Sequence, residues 1–325
     1  MKPRIIVTRE IFDEVLALLR EHFEVEDNQA DEVWTGETLA RKLIDRDGAM
    51  TAGTDRIDAA LIQSCPRLKA VCNMAVGYNN IDLAACTAAG VLATNTPGVL
   101  DDTTADMAWA LLLATARRIA ESDAWVRRGQ WQTWAFKQRL GTDVHHATLG
   151  ILGMGRIGQA VARRARGFDM RVLYHNRHRL PADMEHAANA SYVSKEALLR
   201  EADFLVLLLP YAPENHHCVS AAELALMKPS AMLINIARGG IVDDLALIAA
   251  LKRGGLAGAG LDVFEGEPAL DPEFAQLDNV VLSPHAGSAT YATRLKMALC
   301  AAENLIAALN GGNPPNLLNP AAREG

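Results

Sequence analysis

Along the chain, short apolar runs alternate with stretches whose hydrophobic positions recur every three or four residues, and that alternation predicts βα units. In the first hundred residues Ile5, Ile6 and Val7 form a strand, and Ile11, Val15, Leu16, Leu18 and Leu19 line one face of a helix. Further strands are expected at 23–25, 48–51, 68–72 and 91–94, with helices at 38–44, 57–63 and 82–89. Asn95-Thr96-Pro97-Gly98 then punctuates the pattern. One long helix is expected at 103–128; its stretch 107–116 is too apolar for a solvated face, which predicts that Trp109, Leu111, Leu112 and Leu113 sit at a domain or subunit interface. Residues 129–146, carrying Trp131, Trp134, Phe136, Lys137 and Arg139, read as a loop long enough to reach over a site.

The second half supplies continuous apolar runs at 148–152, 170–174, 204–209, 231–236, 257–263 and 280–282, the signature of strands covered on both faces. Helices are expected around Glu196, Leu224 and Leu247, and a last one at 290–310. With 325 residues, 50% hydrophobic and 22% charged, the chain can bury two such cores. A net charge of −7 leaves no electrostatic footprint for nucleic acid. No run approaches the roughly 18 apolar residues of a membrane span. The chain enters its first strand without a signal region, and its five cysteines show no C-x-x-C spacing, so reduced thiols in a cytoplasmic protein are expected.

The candidate chemistry starts at Gly153-Met154-Gly155-Arg156-Ile157-Gly158, a G-x-G-x-x-G between an apolar strand and an amphipathic helix. In a dinucleotide site Gly153 would make the turn, Gly155 would admit the pyrophosphate, and Gly158 would let helix and strand pack closely. The helix amino end would hold the phosphates. An NAD site usually carries an acid about 20 residues further on. Here the chain reads His175-Asn176-Arg177-His178-Arg179; Asn176 can donate to a 2′-phosphate and Arg177 and Arg179 can pair with it, so NADP is expected over NAD.

Three residues at later strand ends complete the set. Arg238 follows the run 231–236, Glu267 stands in Asp262-Val263-Phe264-Glu265-Gly266-Glu267-Pro268, and His285 follows the run 280–282. Beside a cofactor fingerprint they form an acid/base set plus an anion clamp, which suits reduction of a 2-oxo acid. No metal is expected, because His145-His146 and His216-His217 are adjacent pairs whose side chains would point apart on regular elements.

The chain resembles the D-isomer-specific 2-hydroxyacid dehydrogenases, in particular the glyoxylate/hydroxypyruvate and 2-ketogluconate reductases. The matching pieces are Val76-Gly77-Tyr78-Asn79-Asn80-Ile81-Asp82, Thr94-Asn95-Thr96-Pro97, the glycine motif, Ala237-Arg238-Gly239-Gly240, residues 260–268 and Pro284-His285-Ala286-Gly287. The resemblance implies an α/β protein of two doubly wound parallel-sheet domains: a flavodoxin-like substrate domain (1–98 plus 291–325) and a Rossmann cofactor domain (99–290), with a cleft between. It implies His285 as general acid paired with Glu267, Arg238 on the substrate's carboxylate and carbonyl oxygens, and the Val76 and Gly77 N–H groups on the carboxylate. It also implies cofactor contacts from Thr104, Arg156, Ile157, Leu209, Pro210, Ile236, Ala237, Asp262 and Gly287, with Asp262 on the nicotinamide carboxamide. A homodimer through the helix after Pro97 follows as well, with Trp134 capping the partner's site. Ala286 departs from the family's usual Ile, and Ala212 and Asn215 stand where relatives carry Thr. A phosphite dehydrogenase and a non-catalytic nucleotide-sensing corepressor share this architecture. Val76, where the former carries Lys, and the intact trio speak against them.

Overall fold

The computed structural model describes residues 1–323 and resolves the chain into two compact units, Met1–Leu100 with the chain from Thr290 onward, and Asp101–Ala289. The boundaries expected from sequence stood at 98/99 and 290/291.

The first unit runs β1 (Arg4–Val7), α1 (Asp13–His22), β2 (Glu24–Asp27), α2 (Gly36–Leu43), β3 (Gly48–Thr51), α3 (Ala59–Ser64), β4 (Ala70–Asn73), α4 (Leu83–Ala88) and β5 (Leu92–Thr94). Its strands pair in parallel in the order β2-β1-β3-β4-β5. The helices begin where the sequence offers an oxygen to their first free N–H groups: the side chains of Thr35, Asp58 and Asp82 accept from Thr38, Leu61 and Ala85. The C-terminal helix Tyr291–Leu309 returns to this unit and packs Ala298, Ala301, Ala302 and Leu305 with Ile5, Val7 and Met50. Small residues on its inner face let the helix approach the sheet closely.

The second unit opens with α5 (Asp101–Ala116) and α6 (Ile119–Arg127). It continues with β6 (Thr148–Leu152), α7 (Arg156–Ala165), β7 (Arg171–His175), α8 (Ala182–Ala188), β8 (Ala190–Tyr192), α9 (Lys195–Glu201) and β9 (Phe204–Leu207). It closes with α10 (Ala221–Leu224), β10 (Met232–Asn235), α11 (Asp244–Lys252), β11 (Gly258–Leu261) and β12 (Val280–Leu282). The seven-stranded sheet is ordered β12-β11-β10-β9-β6-β7-β8, and each recorded pair is parallel. Strand order reverses between β6 and β9, and the carboxyl edge of such a switch point is where open α/β sheets take ligands.

Several expectations are corrected. The single helix at 103–128 is two helices, because Arg118 takes a left-handed φ of 53° between them. The Arg118 guanidinium holds Glu121 at 2.7 and 2.8 Å just beyond the break. Trp109, Leu111 and Leu112 do not need another subunit to cover them: they are buried with Leu149, Ile151, Val206 and Ile234 in the core of this same unit. The Trp109 indole N–H donates to Val161 O at 3.1 Å, and its ring stacks on Phe168 at 4.6 Å. Helix α8 and strand β8 were not foreseen, one because ADMEHAA carries little apolar face and the other because three residues carry no period. β12 is not covered on both faces; Leu282 is 38% exposed on this edge strand. The five cysteines are free thiols, as expected. Among the described residues no helix is long and apolar enough to cross a membrane.

Candidate active site

β6 runs into the glycine motif, and each glycine there meets a different demand. Gly153 has φ 108°, and a Cβ on it would stand 2.7 Å from the Leu208 carbonyl carbon. A Cβ on Gly158 would stand 2.5 Å from Gly153 O. Both are required by the protein's own packing. Gly155, the residue preceding α7, would meet nothing within 4 Å, so no protein atom requires a glycine there. An open backbone position at a helix amino end, where the first N–H groups lack intrahelical partners, fits the approach of a pyrophosphate. The residues present therefore fit a dinucleotide. Arg156 and Ile157 begin that helix, Arg156 lying 3.5 Å from Asp101; Thr104 is buried on α5, which packs against α7.

Asn176, at the end of β7, accepts the Met154 N–H on Oδ1 at 2.6 Å and so ties the glycine turn to the neighbouring strand end. Arg177 is exposed, with Glu214 at 3.8 Å. Arg179 is already engaged: its guanidinium grips Glu185 of α8 through two hydrogen bonds of 2.9 and 2.8 Å. The Tyr174 hydroxyl donates to the same carboxylate at 2.5 Å and accepts the Leu180 N–H at 2.9 Å. The Arg179 hydrogen bond, then that of Tyr174, hold the Glu185 carboxyl down to about 2. No acid stands in the loop at the tip of β7, but α8 brings one to it. Leu209 and Pro210 follow β9, and Asn215 Nδ2 donates to Pro210 O at 2.9 Å. Ile236 and Ala237 are buried after β10.

The trio assembles from the loops after β10, β11 and β12. His285 Nδ1 lies 2.6 Å from Glu267 Oε1, which leaves Nε2 as the other ring nitrogen. Burial draws the Glu267 carboxyl upward, but the His285 hydrogen bond and charge, the Phe264 N–H and the Arg238 charge together hold it below its ordinary value. His285 has φ 51°, an uncommon conformation for a histidine, and it is held from behind. Its own N–H donates to Asp262 O at 2.8 Å, while the Ala286 and Gly287 N–H groups donate to Asp262 Oδ1 and Oδ2 at 2.7 and 2.8 Å. Asp262, 1% exposed, thus clamps the histidine loop. Burial lowers the Arg238 guanidinium's affinity for its proton, opposed by the charges of Glu267 and Asp262.

Sequence reasoning missed two residues that set this geometry. Asn235, 1% exposed, accepts the Ala237 N–H at 3.1 Å and donates to Arg238 O at 3.3 Å, which fixes the arginine's turn. A Cβ on Gly239 would stand 1.8 Å from Phe264 O, so the arginine loop and the loop leading to Glu267 lie in backbone contact. The Gly239-Gly240 pair was the available signal. In the first unit, the Val76 and Gly77 carbonyls accept from the side-chain amides of Asn95 and Asn73 at 2.8 and 2.9 Å. Among the described residues the N–H groups of Val76 and Gly77 have no acceptor.

The histidine pairs are also corrected. Neither lies on a regular element: His146 has φ 64° and His217 φ 50°, and these left-handed turns bring neighbouring rings together instead of apart. His145 and His146 meet edge to face at 5.0 Å, and His216 and His217 stack at 3.9 Å. A cavity lined by Thr115, Gly141, Met232, Ala257 and Val280 lies at the amino ends of the strands, away from all of this chemistry.

Comparison with known proteins identifies the family. The family model described as "D-isomer specific 2-hydroxyacid dehydrogenase, NAD binding domain" matches residues 109–287. A glyoxylate reductase of Thermococcus onnurineus is 51% identical over 323 residues, 98% of this chain and 96% of that protein. One of Aeropyrum pernix is 48% identical over 324 residues, again 98% and 96%. Among solved structures, an NADPH-dependent glyoxylate/hydroxypyruvate reductase of Sinorhizobium meliloti in complex with NADP and malonate superposes with TM-score 0.87 at 33% identity, covering 98% of this chain and 97% of that one. With a dinucleotide turn at a switch point and a His–Glu–Arg set on three adjoining strand ends, this chain belongs to the D-isomer specific 2-hydroxyacid dehydrogenase family and is an NAD(P)-dependent oxidoreductase.

Proposed function

We propose that the protein reduces small 2-oxo acids, glyoxylate, hydroxypyruvate and 2-ketogluconate, to D-2-hydroxy acids with NADPH as the preferred reductant. The observation that carries this reading is the 2.6 Å His285–Glu267 pair in the unit that also holds Arg238 and the open turn at Gly155. A reduced nicotinamide dinucleotide held at the glycine turn would supply the hydride for the carbonyl carbon. As the carbonyl π pair moves to oxygen, His285 Nε2 delivers the proton that makes the hydroxyl. Glu267 keeps the ring oriented and stabilises its protonated form, and its negative charge balances the cation before transfer. Arg238 holds the carboxylate and the carbonyl oxygen, where negative charge develops. Asp262 positions the His285 loop and offers its remaining acceptor capacity to the carboxamide, and the Val76 and Gly77 N–H groups receive the substrate carboxylate. The basic loop after β7 supports the NADP preference, with Arg177 as its exposed cation. The protein acts as a homodimer through the helical region after Pro97, and Trp134, 72% exposed, caps the partner's site.

The test is a spectrophotometric assay with NADPH and NADH in parallel against the three acids, with His285→Ala as control. Faster oxidation of NADPH, reduced roughly 10²- to 10⁴-fold in the variant, is expected. Tight cofactor binding without turnover of any 2-oxo acid would overturn the reading, and full activity of His285→Ala would remove the histidine from it.

A further inference from the structure

Outside the trio, one cluster of side chains has the donors and spacing of a metal site. The turn Pro213–Asn215 delivers His216 and His217 after β9, and Glu265 comes from the loop after β11. The ligand atoms of His216, His217 and Glu265 all lie within 4.8 Å of one another. His217 Nε2 is 2.9 Å from Glu265 Oε1, and the two imidazoles stack at 3.9 Å with an interplanar angle of 21°.

The backbone builds this cluster at some cost. His217 sits at φ 50°, fixed there by its N–H donating to Gly240 O at 2.7 Å. Gly240 also makes room: a Cβ on it would come within 3.2 Å of His216 Nδ1. Tyr211 Oη lies 3.3 Å from His216 Nδ1, the outer hydrogen bond that commonly orients a ligating imidazole and leaves Nε2 to the metal. Behind Glu265, its N–H donates to the buried carboxylate of Asp244 at 3.0 Å, so the surroundings are anionic.

We propose that His216, His217 and Glu265 bind one divalent first-row transition ion of the zinc, cobalt or nickel type, at a site separate from His285. Two imidazoles and one carboxylate match the donor preference of those ions rather than of magnesium or calcium, and they leave a fourth position for water. Bonds of about 2.0–2.2 Å require the three donors to draw together from their present spacing, which the exposed side chains of His216 and Glu265 permit. The ion would replace the proton shared between His217 and Glu265 and would cross-link the loops after β9 and β11.

The test uses the full chain without an affinity tag, stripped with chelator and titrated with Co²⁺ followed by visible absorption and with Zn²⁺ by calorimetry. One Co²⁺ per chain with tetrahedral absorption, displaced by Zn²⁺, is expected. Affinity should fall roughly tenfold or more in His217→Ala and in Glu265→Gln, since losing even an outer partner of a ligand typically costs that much. Zn²⁺ should also raise the melting temperature of the wild type more than that of His216→Ala, whose exposed side chain can be removed without unfolding the chain. Absence of stoichiometric binding, undiminished affinity in these variants, or loss of binding on His145→Ala or His285→Ala instead would overturn the assignment.

Discussion

Glu185 shows how one side chain can alter the meaning of a motif. The loop at the tip of β7 reads as cationic in sequence, yet half of its guanidinium charge is spent on a carboxylate that arrives from α8. Removing that charge releases Arg179 and withdraws a negative group from the place where a 2′-phosphate would lie. Glu185→Gln should therefore raise the ratio of kcat/KM for NADPH over NADH, by roughly three- to tenfold, as expected for one charge-assisted contact at an accessible site. Steady-state kinetics with both cofactors would check this, and an unchanged or lowered ratio would show that Arg179 has no part in the preference. The wild-type ratio separately tests the NADP preference itself.

Asp244 makes a prediction about pH. It is buried at the start of α11, and burial first, then the charges of Glu265, Asp243 and Asp271, push its carboxyl from 3.8 up to about 6. The folded chain therefore holds this proton more tightly than the unfolded chain, and stability falls as pH rises through the window from 3.8 to about 6. Above that window the cost is complete. Asp244→Asn should be more stable than the wild type at pH 8 by roughly 1–2 kcal/mol, reduced from the full linkage value because the helix amino end favours the charge. At pH 4 the two should melt together. A stability difference independent of pH would refute the account.

At the level of elements, the glycines separate packing from ligand binding. Gly239→Ala drives a Cβ into Phe264 O at 1.8 Å, backbone against backbone, and no side-chain rotation relieves it. A loss of about 3 kcal/mol or more is expected, with activity lost alongside, because the Arg238 and Glu267 loops must part. Gly155→Ala meets no protein atom within 4 Å and should leave stability within about 1 kcal/mol of the wild type. Its cofactor Kd should nevertheless rise roughly tenfold or more, since the methyl occupies the approach of the pyrophosphate. Chemical denaturation and fluorescence titration distinguish the two, and normal cofactor affinity in Gly155→Ala would place the phosphates elsewhere. The break at Arg118 belongs to this level too: periodicity continues across it, and only the left-handed residue reveals that one helix has become two.

For the molecule as a whole, the redistribution of apolar surface bears on assembly. With Trp109, Leu111 and Leu112 absorbed into the core of the second unit, the apolar groups this unit leaves exposed include Ile119, Val126, Trp131, Trp134, Phe136 and Leu140, each at least 48% exposed. They fall on α6 and the following loop, within some twenty residues of one another in sequence, and this is where the proposed dimer contact is expected. Sedimentation should find a dimer, and Trp134→Ala with Phe136→Ala should weaken it by tenfold or more, as expected when aromatic anchors are truncated. A wild-type monomer at micromolar concentration would contradict the proposal.

The division into two parallel-sheet units, the glycine turn and the candidacy of Arg238, Glu267 and His285 were legible in the chain. Each depends on local pattern: apolar runs of strand length, helical periods, and residue types placed just after a run. What the sequence could not show were relations between segments distant along it. The partnership of Arg179 with Glu185 needs α8 folded back onto β7. Asp262's grip on the loop at 285–287 and the contact of Gly239 with Phe264 need strands laid side by side. The stacking of His216 on His217 needs a backbone turn of the wrong hand for an ordinary residue, stabilised by a carbonyl from another loop. Periodicity reports which face of an element is apolar, whereas packing decides which elements meet and therefore which charges find each other.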